Sequence, residues 1–316
     1  MIRFLIRKLP SVLLVTFVSS VIAFALPRVA PGDPVAVLTE GDISSDAAAA
    51  LRAEMGLDLP LWQQYLKWIG NVLEGDLGTS YLLRRPVSEL VLGSLESTIE
   101  LTVLAVVIMV AVGLGIGLMG GSPISKLARA FVDTFNTVFL AVPPFLTGLL
   151  LILLLGITFR VLPVSGEVAF LSNPEIGIQY LILPAVALAL PQAAVIARLL
   201  QTSMLATRGE DFVDLAKAKG VPPARITYRH VARNSLGTAV VVIGLRIGDL
   251  LGGALIVEAI FARNGLGALM VSGVQSRDYQ LVQFLILAAV VVAVIIQLLS
   301  EITLATLDPR IRLEGS

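Results

Sequence analysis

Five long runs without a charged residue constrain this chain more than any other feature. They cover residues 9–27, 101–125, 134–159, 176–197 and 279–300. Each is close to the roughly 20 apolar residues that a helix needs to cross a bilayer, and none alternates in the manner of a barrel strand. The chain is 56% hydrophobic and only 15% charged, against about 25% charged residues in an average soluble protein. The sequence therefore predicts an all-α integral membrane protein.

A sixth run, residues 236–260, has the length of a span but carries Arg246 and Asp249. Residues three apart lie on one helix face, and an unpaired charge inside the membrane costs roughly 2.5 to 3.5 kcal/mol. We therefore accept the span and interpret the two charges first as a structural ion pair. The alternative is that the two charges have a functional role within the membrane.

Basic residues are distributed unequally between the two sides of these six spans. The segments on the side of both termini hold 14 Lys and Arg, and the opposite segments hold 8. Because basic residues near helix ends remain in the cytoplasm, both termini are predicted to be cytoplasmic. A cleaved signal peptide is the alternative for the first span, because its basic start and the small-x-small triplet at 23–25 are typical of one.

The segment between Pro27 and Glu96 is too long for a simple connection. Start signals and apolar spacing predict one helix within Ser44–Met55 and a second over Pro60–Leu73. We interpret this segment as a helical cap over the outer mouth of a path; the alternative is that its Trp and Tyr residues lie at the membrane interface. The predicted organisation has a first span within 1–30, an external cap at 31–96 and a five-helix core at 97–316. The core spans are expected at about 97–119, 133–158, 178–204, 236–260 and 280–304, with a cytoplasmic loop at 206–235.

This cytoplasmic loop contains a strongly basic, helix-forming segment, Asp211 to Ser235. Acidic residues at its start complement a helix dipole, and Gly220 suits a helix end. The prolines that follow Gly220 stop the first helix and suit the first turn of a second one. A pair of short helices of this kind docks a soluble partner or, in the alternative interpretation, rests on anionic lipid.

The loop resembles a known motif. Asp214, Leu215 and Ala216, followed after three residues by Gly220, are similar to the acidic-Ala-Ala-x-x-x-Gly coupling loop of permease subunits in ATP-binding cassette importers. The strings AKAKG and RHVARNS resemble the dipeptide and oligopeptide branch in particular. Other motifs of that branch follow in order over essentially the whole chain: Gly32-Asp33-Pro34, Gly56-Leu57-Asp58 with Pro60 and Gln64-Tyr65, Gly75 to Gly78 with Ser80, Pro143-Pro144, Gly252-Gly253 with Glu258, Arg277 to Tyr279, and Asp308 to Arg310.

The resemblance implies a type I importer permease fold of six spans and a subunit that is not an enzyme. Its expected partners are a second, related permease, one or two cytoplasmic ATPase subunits, an external substrate-binding protein and membrane lipid, with no nucleic acid. This chain is expected to hold no metal or cofactor, since ATP and Mg²⁺ would bind in the ATPases. The location implied is a bacterial plasma membrane, the cell inner membrane.

The residues expected to dock the ATPase are Asp214, Leu215, Ala216, Lys217, Lys219, Gly220 and Arg225. Candidate path residues are Asn136, Gln192, Arg246 and Asp249. In this alternative to a structural pair, Arg246 and Asp249 form a polar wall of the path that recognises peptide termini or a charged substrate. Departures from the branch pattern are Leu215 in the place of an alanine, Ala232 in the place of a leucine and Asn264 in the place of a proline. Peptide is the expected cargo; haem, glutathione or a nickel chelate are alternatives within the same architecture.

Enzymatic alternatives find no support in the residues. The chain has one histidine, no cysteine and no phosphate-binding loop of the Gly-x-x-x-x-Gly-Lys type. A proton-coupled secondary transporter with Asp249 or Glu258 as the proton carrier, and a membrane scaffold, remain rival classes. Secondary transporters commonly contain repeats, and none is recognisable in this sequence.

Overall fold

The fold, given by a computed structural model, is described for residues 2–29, 35 and 45–307, and nearly all of these residues are helical. We number eleven helices of this part of the chain in sequence order. They are α1 (Ile2–Val29), α2 (Ser45–Glu54), α3 (Leu61–Glu74), α4 (Val87–Gly121), α5 (Lys126–Ala141), α6 (Pro144–Leu151), α7 (Pro174–Arg208), α8 (Asp211–Ala218), α9 (Ala232–Ile260), α10 (Leu266–Gln275) and α11 (Tyr279–Leu307). The predicted all-helical fold class is confirmed. The motifs Gly32-Asp33-Pro34 and Asp308 to Arg310 lie outside the described residues.

Five helices of the described part are long and apolar enough to cross a membrane, and a sixth span results if one broken pair is counted as one. That pair is α5 with α6 and its π-helical extension Ile152–Thr158, bent by 111°. The sequence predicts one span at about 133–158, and in the structure this stretch lies in two helices with a sharp bend between them. Pro143 and Pro144 follow each other, and the residue before a proline is driven out of the α region. Val142 and Pro143 accordingly have extended backbone, with ψ of 119° and 155°.

Two spans extend well beyond their charge-free runs. The helix α4 begins at Val87, ten residues before the predicted start at 97, and α7 covers Pro174–Arg208 rather than 178–204. Charged residues ended the predicted spans, but Glu and Arg are good helix formers. The helices therefore continue past the apolar stretch.

The chain divides into two compact units that differ from the predicted domain boundaries. The N-terminal unit comprises 1–97 with 264–294, and the central unit comprises 98–263 with 295–316. In the N-terminal unit, Phe24 of α1 packs on Tyr65 and Trp68 of α3, with the first two rings edge to face at 5.4 Å. The hydroxyls of Ser20 and Tyr65 lie 2.8 Å apart. Phe24, Tyr65 and Trp68 thus form a small core. Trp62, which also lies on α3, is exposed.

The N-terminal unit has a second apolar cluster where α4 begins. Val87 and Leu90 pack there against Leu281 and Leu285 of α11, with side chains of α10 around them. The hydroxyl of Ser80 donates a hydrogen bond to the Asp278 carboxylate just before α11. This contact ties the turn after α3 to the start of the last helix.

The central unit is built around α7, which packs against α4, α5, α6 and α9. Its core is apolar, with Leu188 and Ile196 of α7 fully buried. Gly113 and Gly117 of α4 face Ile196 and Leu200 so closely that an added Cβ would lie 2.9 Å from each. These two glycines therefore serve close helix packing, whereas Gly115 has open space beside it.

Candidate functional site

The loop after α7 is fixed to the central unit by one arginine. The Nε of Arg208 donates to the carbonyl oxygen of Gly121, at the end of α4, over 2.7 Å. Its Nη2 donates to the hydroxyl of Thr227 over 2.8 Å, and Thr227 bonds the carbonyl of Pro223. Thr207 and Ser235 add a hydroxyl pair at 3.1 Å. The loop is consequently attached at its beginning, its middle and its end.

The short helix α8 is held through one buried side chain. Val213 is fully buried against Leu200 and Met204 of α7 and against Ile226. An isolated helix of eight residues has little stability of its own in water. The position of α8 therefore depends on this apolar contact, which the sequence analysis did not single out.

The opposite face of α8 is exposed. Leu215 keeps 56% of its surface exposed, and Phe212 also reaches solvent. Lys217 donates to the Asp214 carboxylate over 2.8 Å, and both side chains are largely solvated. An exposed ion pair of this kind contributes little to stability. The face presents an apolar patch flanked by one acid and one base.

Gly220 ends α8 in the left-handed conformation, with φ of +71°. The amide of Val221 donates to the carbonyl of Ala216, and that of Gly220 donates to the carbonyl of Lys217. This pair of bonds is a Schellman motif, which favours glycine at the left-handed position. Val221 and Ala216 also pack on the same apolar cluster, as the hydrophobic contact of the motif requires.

A helical turn at Pro223–Arg225 and a π-helical turn at Ile226–Val231 then lead into α9. Ile226 and Thr227 are buried, while Arg225 and Tyr228 point to solvent. The structure thus exposes Asp214, Leu215, Lys217, Lys219, Gly220 and Arg225 and half-buries Ala216. These docking residues form one protruding element, although their role remains a prediction.

The four candidate path residues form separate polar groups. Arg246 pairs with Asp249 at 2.5 Å, three residues along α9, which is the arrangement that the structural interpretation predicts. Asn136 is buried and donates to the side chain of Gln201 over 3.0 Å. Within the described residues, the side-chain oxygen of Gln192 accepts no hydrogen bond. Their role in a path remains a prediction.

A buried charge cluster was not anticipated from the sequence. Arg263, directly after α9, is fully buried, and its Nη2 lies 3.9 Å from Glu100 and 3.7 Å from Glu167. Its backbone amide donates to the carbonyl of Glu258, whose side chain is also fully buried. Glu100 further accepts a hydrogen bond from the amide of Phe170. The sequence signal was the position of Glu100 and Arg263 near the edges of two apolar runs, whereas Glu167 lies between two runs and gave no such signal.

Comparison with protein families gives two matches that together cover most of the chain. The family described as "Binding-protein-dependent transport system inner membrane component" matches residues 112–313. The family of the N-terminal part of such membrane components matches residues 1–102.

Similar curated proteins match over nearly their full length. The chain is 36% identical over 342 residues to the Dipeptide transport system permease protein DppB of Escherichia coli strain K12, with 99% of each chain covered. It is 33% identical to the Oligopeptide transport system permease protein AppB of Bacillus subtilis strain 168, with 98% of each covered.

Solved structures show the same fold at lower identity. A structure of the MetNI methionine ABC transporter in inward-facing conformations gives a TM-score of 0.56 at 17% identity, over 69% of this chain and 96% of that one. An amino acid ABC transporter crystallised with histidines gives 0.50 at 20% identity, over 71% and 94%. At this identity, the likeness shows the fold alone.

Proposed function

The chain belongs to the family of inner membrane components of binding-protein-dependent transport systems, and from this premise we propose that it is the permease subunit of a peptide importer. The observation that carries the proposal is the protruding helix α8, which is anchored on one face and open on the other. The similar proteins named for dipeptide and oligopeptide transport support peptide as the cargo.

We assign α8 the part of a coupling helix that inserts into a groove of a cytoplasmic ATPase. Leu215 supplies the apolar contact, and Asp214, Lys217, Lys219 and Arg225 supply polar contacts around it. Ala216 permits close approach of the partner, and Gly220 sets the angle at which the helix leaves the loop. The exposure of the side chains on α8 fits this division of roles for the polar residues and Leu215, whereas Ala216 is half-buried and packs on the anchored face.

The attachment of the loop explains how movement of an ATPase would reach the membrane. Val213 buries α8 against the end of α7, and Arg208 joins the end of α7 to α4 and to the turn before α9. A push on α8 is therefore distributed to three spanning helices. The chain performs no chemistry itself, since ATP and Mg²⁺ would bind in the ATPase subunits.

The family places this chain in a membrane, together with ATPase and substrate-binding partners. We further propose that a second permease completes the path, that lipid surrounds both permeases and that both termini are cytoplasmic. This orientation puts α8 on the side where ATP is available, which the docking assignment requires. The buried Arg263 cluster then lies on the outer side of the central unit.

The test is uptake by the complete complex in proteoliposomes with a purified substrate-binding protein outside. A radiolabelled dipeptide is offered with ATP or with a non-hydrolysable analogue inside, and haem, glutathione and a nickel chelate are offered in parallel. ATP-dependent accumulation of the dipeptide is expected. Accumulation of one of the other three instead would overturn peptide as the cargo.

A matched pair of variants tests the docking assignment in the same vesicles. Leu215→Asp places a charge in the apolar contact and should abolish coupled uptake while the chain still inserts. Leu171→Asp is the control, because Leu171 is another strongly exposed leucine of the central unit that lies outside α8. Normal uptake by Leu215→Asp would contradict the assignment of α8.

A further inference from the structure

The N-terminal unit contains a cavity of about 180 Å³. It is lined by residues from the end of α1, from α3, from the turn after α3 and from the start of α11, among them Arg28, Lys67, Trp68, Tyr81 and Gln283. At roughly 30 Å³ per molecule, this space equals about six waters. It suits one end of an amino acid or short peptide and is too small for a long chain.

The cavity has an excess of positive charge. The guanidinium of Arg28 lies 3.6 Å over the ring of Phe24. It donates through Nη1 to the carbonyl of Phe24 and through Nε and Nη2 to the side-chain oxygen of Gln64. A guanidinium has five N–H groups, so one N–H on Nη1 and one on Nη2 have no acceptor among residues 2–29, 35 and 45–307.

The remaining charged groups of the lining strengthen this bias. In the described part of the chain, no carboxylate forms an ion pair with Arg28. The described residues of the lining add Lys67 and one acid, Asp76, whose Oδ1 accepts a hydrogen bond from the amide of Gly78. Burial raises the pKa of Tyr81 above its ordinary value, so this phenol stays neutral. The cavity is therefore suited to an anionic group.

Two buried polar side chains of the lining have no hydrogen bond. Gln283 is 1% exposed and Trp68 is 5% exposed, and neither the amide of Gln283 nor the indole N–H of Trp68 has a partner among the described residues. Buried polar groups are normally satisfied, and leaving one without a partner is costly. Together they offer three N–H donors, two on the amide of Gln283 and one on the indole of Trp68, and one acceptor oxygen.

We infer that this cavity binds the C-terminal end of a short peptide. The free carboxylate would accept from Arg28 and from the indole of Trp68, and the neighbouring peptide N–H would donate to the side-chain oxygen of Gln283. A simple inorganic anion offers no N–H group for that oxygen. The class of ligand in this inference, a peptide, rests on the proposed function. The site itself is additional, because the coupling mechanism does not require it.

The experiment uses the complex of permeases and ATPases in lipid nanodiscs, without the substrate-binding protein. The probe is a dipeptide of alanine and photoleucine with a free C-terminal carboxylate, and its C-terminal amide is the matched probe. After irradiation, mass spectrometry locates the label. We expect label on the segments that line the cavity, 55–59 and 64–71, and at least about tenfold less label from the amide, because a charged hydrogen-bond partner is lost.

Variants show whether the cavity itself holds the probe. Gln283→Leu removes both unpaired amide atoms without adding bulk and should lower labelling by about tenfold. Gln63→Leu is the control on α3, because Gln63 does not line the cavity. Arg28→Lys keeps the positive charge but loses the forked N–H groups of the guanidinium. The yield of labelling should therefore fall in this variant too.

Three results would overturn the inference: equal labelling by acid and amide, unchanged labelling of Gln283→Leu, or suppression by inorganic phosphate as strong as by unlabelled dipeptide. Phosphate suppression would show a general anion site that does not read a peptide. Uptake of dipeptide is measured separately, with the unaltered complex in proteoliposomes and the substrate-binding protein outside. Uptake without cavity labelling removes only the cavity assignment, whereas absence of uptake removes the proposed function whatever the label shows.

Discussion

Replacement of Val213 by alanine should detach the coupling helix α8 without unfolding the protein. The side chain of Val213 is fully buried against Leu200, Met204 and Ile226. Two buried methyl groups are lost, at about 0.8 kcal/mol each, and the remaining void adds to this, giving a cost of about 2 kcal/mol. Because 1.4 kcal/mol is a factor of ten, the open population of α8 should rise about 30-fold.

Hydrogen exchange of the amides in 213–221 measures this opening directly. When opening is fast and reversible, the exchange rate follows the open population, so these amides should exchange about 30-fold faster in Val213→Ala. Amides in the middle of α7 should keep their rates, because the cost falls on the local contact. The same sample gives ATPase affinity, which should fall because α8 is ordered less often.

Leu215→Ala is the matched control on the same helix. Leu215 faces solvent, so its truncation should leave exchange of 213–221 unchanged and still weaken ATPase binding. Unchanged exchange in Val213→Ala would show that the buried contact does not hold α8. Equal acceleration in both variants would show that the two faces of α8 are wrongly assigned.

Three further predictions concern the same loop and the fifth span. Gly220→Pro should leave the chain inserted but uncouple ATP hydrolysis from uptake, because a proline cannot adopt the positive φ found there; coupled uptake by this variant would contradict the Schellman assignment. Asp214→Lys should weaken ATPase binding in a pull-down by placing two cations beside each other on α8, and an unchanged pull-down would remove Asp214 from the docking face. Exchanging Arg246 and Asp249 should preserve expression and assembly, since the pair at 2.5 Å is kept with its order reversed; intact assembly with lost transport would instead support a path-lining role.

The coupling loop could be predicted closely from the sequence because its signals are local. Acidic residues before a breaker-free stretch and a glycine after it define a helix, and the structure has that helix at Asp211–Ala218. The left-handed φ of Gly220 follows from the same local rule. Burial of Val213 was not predicted, because one valine in a short amphipathic helix does not show which face meets the protein.

Prolines in the spans show where local signals fail. The pair Pro143-Pro144 separates α5 from α6 with a 111° bend, yet Pro184 and Pro191 lie within the unbroken α7. One proline removes one backbone hydrogen bond, and neighbouring helices compensate for such a loss. Two successive prolines force two residues into extended backbone, which no packing contact reverses. The number of spans could be predicted, but not which proline would bend one.

The contacts of Arg208 and Arg263 lay beyond sequence reasoning for a different reason. Arg208 donates a hydrogen bond to the carbonyl of Gly121, which is 87 residues away in the chain. Arg263 lies near Glu100 and Glu167, which are also far from it in the chain. No periodicity relates such positions. Only the packing of whole helices brings them together.

The contacts of Arg208 and Arg263 lie near opposite ends of the helix α7. The helix α7 is continuous over 35 residues, about 52 Å at 1.5 Å per residue. One end carries Arg208, which bonds α4 and the coupling loop. The loop that leads into its other end contains Glu167, within 3.7 Å of the buried Arg263.

The helix α7 is continuous although it contains Pro184 and Pro191, and Gly113 and Gly117 of α4 allow close packing against it. One end of α7 leads to the loop with α8, and the other follows the loop whose Glu167 approaches the Arg263 cluster. Breaking that cluster by removal of one partner leaves a buried charge, at a cost of about 3 to 5 kcal/mol. Helix α8 and the Arg263 cluster are therefore both connected to α7, one near each of its ends.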